Sequence, residues 1–167
     1  FRYGTSSFAD GEAWRIIPQG YFYRGPFSLL GEYAISAQEV RNAGNTAGLE
    51  NTAWGVQAGW VLTGEDATYK SVSPQNPFDP RHGQWGAWEV VTRYGELDID
   101  DDAFPLFAST TVSASEAQNA GIVLNGYLSD HVRVQVDYEH TNFEGGKAAN
   151  ADRETEQAVL SRVGVKF

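Results

Sequence analysis

Residues 131–140, HVRVQVDYEH, alternate strictly. Val132, Val134, Val136 and Tyr138 fall on one side of an extended chain, and Arg133, Gln135, Asp137 and Glu139 on the other. A period of two belongs to a strand, here with one apolar and one charged face. The same pattern recurs in segments of about ten residues down the whole chain. RIIPQGYFYR (15–24) has Pro18 inside it and runs into Gly25-Pro26, a tight-turn signal. FSLLGEYAIS, from Phe27, sets Phe27, Leu29, Tyr33 and Ile35 against Glu32 and Ser36. AWGVQAGWVLT, GAWEVVTRYGELD, AGIVLNGYL and TEQAVLSRVGVKF continue the series, the last running from Thr155 to Phe167. Together they predict about seven antiparallel strands in one all-β unit over residues 1–167, with no separate domain.

The connections carry a second pattern. Gly25-Pro26 and Ser129-Asp130 read as tight turns, whereas residues 40–51, 99–117 and 142–153 read as long polar loops. Tight and long ends alternate, as they do in an outer-membrane barrel. Residues 64–84 are the exception, a long connection at the end where turns should be short; a segment of that kind usually has a task of its own.

What the apolar face meets decides the fold. No run approaches the ~18 consecutive apolar residues of a membrane helix, and alternating strands would not produce one. Three features favour lipid over the core of a sandwich. The opposite face is small and polar, with repeated Gly and Gln. Trp54, Trp60, Trp85, Trp88, Tyr94, Tyr127 and Tyr138 lie near strand ends, where an amphipathic ring suits a membrane interface. Finally, an alternating strand closes on Phe167. The expected fold is an antiparallel transmembrane β-barrel; a secreted β-sandwich that binds carbohydrate is the alternative.

Composition narrows the functions. A formal charge of −10 argues against a nucleic-acid binder. Zero Cys excludes a disulfide scaffold and a thiolate metal site. DIDDD (98–102) reads as a solvated charge run, with a weak divalent contact to lipopolysaccharide as its sharper alternative. His82, His131 and His140 share no metal-ligand spacing, and no Gly-rich phosphate loop follows a strand, so neither an enzyme nor a cofactor is expected. With no Met and no apolar leader, the sequence is expected to be a processed chain or a piece of a longer one.

Four stretches in order, GPFSLLGEYA (25–34), GWVLTGE (59–65), WGAWEVVTRYGELD (85–98) and the closing strand ending in Phe, resemble the C-terminal part of the phosphate-selective porin O and P family. The resemblance implies a homotrimeric channel of about 16 strands in the bacterial outer membrane. It also implies passive diffusion of small solutes, anions such as phosphate among them, and contact with outer-membrane lipid and lipopolysaccharide. Residues 64–84, with Lys70, Arg81 and His82, would be a turn folded inward to constrict the pore. Val163, Val165 and Phe167 would form the C-terminal signal read by the barrel assembly machinery. The family's arginine ladder and lysine cluster lie mostly before this stretch, so none of their positions is carried over. An alternative role is a barrel serving as a structural subunit of an outer-membrane assembly.

The strand phases themselves place Arg93, Arg133, Arg162 and Lys166 on the pore-lining face, together with Glu32, Glu89, Asp137 and Glu139. Charged rings of this kind can select the sign of an ion. They can equally pair across strands and only stiffen the wall.

Overall fold

The computed structural model describes residues 1–166. All the strands belong to antiparallel pairings in one layer: β1 (Ser7–Ile16), β2 (Gln19–Arg24), β3 (Phe27–Asn42), β4 (Asn45–Val61), β5 (Ala87–Asp98), β6 (Ala114–Tyr127), β7 (Val132–Lys147), β8 (Ala151–Asp152) and β9 (Glu156–Val165). β1 and β2 lie end to end along β3, broken at Ile17-Pro18, because Pro18 has no N–H for the ladder. β8 and β9 likewise share the edge of β7. The sheet therefore has the seven spans expected, and it is an open wall rather than a closed ring.

The register fixes which side chains share a face. Phe27 pairs with Trp60, Trp60 with Val90, Val90 with Leu124, and Leu124 with Val136. Tyr33–Trp54, Ile122–Tyr138 and Val134–Val163 follow the same side. Over the described strands the phases read from the alternation hold. Among the described residues nothing covers this apolar face: Val136 is 51% and Val163 70% exposed. A sandwich would have laid a second sheet here, so that alternative fails. A continuous bare apolar face on a single-layer sheet is the wall of a transmembrane barrel.

The two apolar clusters of buried residues sit on the opposite, polar face, one at each end. Val40 and Leu49 lie under Ile99, Ala103 and Phe107, so the connection 99–113 folds over that face. Residues 1–6 join it: the Gly4 amide donates to Phe107 O at 2.8 Å, and Ser113 Oγ donates to Arg2 O at 2.9 Å. Burying a side chain such as Leu49 completely stabilises the cover by about 1.5–3 kcal/mol. At the other end Val61, Ala87 and Tyr127 lie under Ala67 and Val72 of the connection between β4 and β5.

Several boundaries differ from the sequence expectation, among them the end of the 99–117 loop, since β6 already starts at Ala114. Residues 40–51 are not a loop: β3 and β4 run on to a two-residue hairpin at Ala43-Gly44, both at positive φ (49° and 85°), as a type I′ turn requires. Residues 142–153 are likewise mostly paired strand, reversed at 148–150. The first strand starts at Ser7 rather than Arg15. β3, β4 and β7 reach 16, 17 and 16 residues, longer than the roughly 9–11 that cross a bilayer. At the Ala43-Gly44 end β4 and β7, with their neighbours β5 and β6, carry acidic residues on the outward side, among them Glu50, Glu96, Glu116 and Glu144.

Val136→Arg would put a charge in the middle of the apolar band. Urea unfolding of the folded protein in lipid should show a loss of ~2–4 kcal/mol, the range for a basic residue at the bilayer midplane. The same substitution at Gln135, on the other face, should cost far less.

Candidate functional site

The polar face carries the predicted charged residues. Arg93 of β5 is the hub of one group: its guanidinium donates to Asp137 Oδ2 at 2.8 Å and also pairs with Glu139. Both carboxylates belong to β7, two strands away, with β6 between. The register explains the reach. Arg93 pairs with Gly121 and Gly121 with Glu139, so all three lie in one row. A Cβ at position 121 would come within 2.7 Å of both Glu139 carboxylate oxygens. The missing side chain is what lets Glu139 lie across β6 to meet Arg93. Two carboxylates share one guanidinium, so this part of the face presents no net positive charge.

Glu89 is buried one row pair nearer the turn end and accepts from Asn125 Nδ2 at 3.0 Å and the Tyr127 hydroxyl at 2.7 Å. Its partners satisfy it without a cation. Glu32 is exposed beside Gly55, and Arg162 is exposed opposite Gln135; neither has an ion-pair partner among the described residues. Arg133 and Lys166 line one recess at the turn end, together with Lys70 and Ser71 of the long connection and Asp130.

That connection crosses the polar face as a strap. Its neck is held by Glu65, which accepts from the Thr63 hydroxyl and from the Gln75 amide at 3.2 Å. On one side the Ala67 amide donates to Gly25 O at 2.8 Å, in the β2–β3 turn. On the other, Ser73 Oγ donates to Asp130, and the Phe78 amide donates to Leu128 O at 2.7 Å, both in the β6–β7 turn. Of the three constriction residues expected, Lys70 stands on the strap. Arg81 and His82 do not: they form a separate exposed 3-10 turn, closed by an Asp79–Gln84 bridge, where His82 Nδ1 meets Asp79 Oδ2 at 2.7 Å. Val163 and Val165 lie exposed on the apolar face, while Phe167 falls outside the described residues.

Sequence reasoning missed two exposed tyrosines that meet each other, Tyr21 on the polar face and Tyr69 on the strap. Tyr21 could have been phased from its strand, but nothing local brings Tyr69 to it.

Set beside known proteins, residues 3–167 match the family model described as phosphate-selective porin O and P. The chain is 27% identical over 137 residues to Porin O of Pseudomonas aeruginosa, which covers 80% of this chain and 30% of that protein. It thus spans about a third of the length of the curated relative it matches.

Glu89→Ala would leave Asn125 and Tyr127 without their shared acceptor. An unsatisfied buried donor costs about 1–3 kcal/mol, so urea unfolding should show a loss of that order. Glu89→Gln should recover most of it, because its carbonyl oxygen can still accept.

Proposed function

This chain belongs to the phosphate-selective porin O and P family, and from that premise we propose that its sheet is part of the wall of a channel for passive diffusion of small hydrophilic solutes, anions such as phosphate among them. Its place is the bacterial outer membrane, and its family is one of channels rather than enzymes. The carrying observation is the division of labour between the two faces. One is bare and apolar, as hydrocarbon requires; the other holds the charges and both inturned connections, the 99–113 cover and the strap. On this proposal the polar face looks into the lumen, and Arg93, Arg133, Arg162, Lys166, Glu32, Glu89, Asp137 and Glu139 line it.

The lining residues divide into two kinds. Arg93, Asp137 and Glu139 form the cross-strand lattice that stiffens the wall, while Lys70, Arg133 and Lys166 leave positive charge free for a passing anion. Residues 66–73 of the strap are the constriction. The homotrimer, contact with lipopolysaccharide and recognition of Val163, Val165 and Phe167 by the barrel assembly machinery belong to the same proposal.

Planar-bilayer recording of the whole protein tests it. A reversal potential on the anion side is expected under a chloride gradient, and a cation-side value would refute anion preference. Replacing residues 66–73 with a short Gly-Ser link should raise single-channel conductance severalfold. An unchanged conductance would show that the strap narrows nothing.

A further inference from the structure

The exposed aromatic residues of this wall fall into two groups, and hydrocarbon accounts for only one. Trp54, Trp60, Phe27 and Tyr33 stand on the apolar face. Tyr21 does not: it pairs with Leu30, Leu30 pairs with Gln57, and Gln57 with Arg93, all on the polar face. Tyr21 is nevertheless 64% exposed, and Tyr69, on the strap, is 69% exposed. Their rings lie 5.4 Å apart and 34° from parallel, and Tyr23 continues the group 6.0 Å from Tyr21. Two rings side by side offer an apolar surface on which a planar solute can stack. The next residue along the strap is Lys70, which opens into the recess shared with Arg133 and Lys166. None of these three cations has a carboxylate within ion-pair distance among the described residues. The carboxylate lining the same recess, Asp130, accepts from Ser73.

We propose that the strap carries a two-part solute site, an aromatic platform of Tyr21 and Tyr69 beside the cations Lys70, Arg133 and Lys166, whose ligands are organic anions bearing a ring. This rests on the channel reading above and deepens it by naming a substrate class. An inorganic anion can use only the cationic part. An anion that also has a planar or ring-shaped body gains the stacking contact, and Lys70, next to Tyr69 in the chain, links the platform to the cationic recess.

The test compares phenyl phosphate with methyl phosphate, equal in charge, as blockers of chloride current through the reconstituted protein. Phenyl phosphate should half-block at a concentration about 3- to 10-fold lower, the ratio an added aromatic pair supports. Tyr69→Ala or Tyr21→Ala should bring the two ligands together, and Tyr69→Phe should keep them apart. Lys70→Gln should raise both half-blocking concentrations. Equal block in the unaltered protein, or a preference for phenyl phosphate that survives both alanine substitutions, overturns the proposal. Titration calorimetry in detergent reads the same binding whether or not current flows. A silent bilayer with tyrosine-dependent binding would defeat the channel and leave the site standing, and a conducting channel with no such binding would do the reverse.

Discussion

A peptide N–H in hydrocarbon has no water to turn to, so its partner must lie within the protein. A sheet meets that demand strand by strand, and once it does, the only freedom left is which side chains face which way. One face then has to be apolar across every span, without a second layer behind it. The row from Phe27 through Trp60, Val90 and Leu124 to Val136 is that requirement in sequence. Along that row whatever is polar, charged or packed is displaced to the other side, and the inturned connections follow it there.

On the second face, electrostatics divides the wall by height. In the middle rows a guanidinium is shared by two carboxylates, and the bare backbone of Gly121 is the gap through which Glu139 reaches it. At the turn end the basic residues have no such partners among the described residues, and the strap adds Lys70 to them. A count of four acids against four bases could not separate paired charges from an unpaired basic cluster. Register does so at once, because pairing depends on which charges share a row.

Much of this was legible in the alternation. The phase of every span after the first, the bare apolar face and the odd length of the connection near residues 64–84 follow from period and spacing alone. What was not legible has specific causes. The hairpin at Ala43-Gly44 hides inside a run of Asn, Gly and Thr, and an alanine occupies a position where Asn or Gly would have announced a type I′ turn. Val40 and Leu49 look like strays on a polar face until the 99–113 cover arrives over them. Arg81 and His82 share a connection with Lys70 yet sit in a turn of their own, since the Asp79–Gln84 bridge closes a small loop that sequence distance does not reveal. The meeting of Tyr69 with Tyr21 depends on the strap's course across several strands, which no local pattern encodes.

The strap's anchors lie on the β2–β3 and β6–β7 turns, two hairpins that do not touch each other along the sheet. A segment tied at both ends in this way behaves like a tie beam under an arch. It resists spreading of the rim, and it cannot swing aside without releasing hydrogen bonds at one abutment. On the channel reading proposed above, the opening beneath it would keep a fixed width, so any choice among solutes there would be made by fit at equilibrium rather than by a moving door.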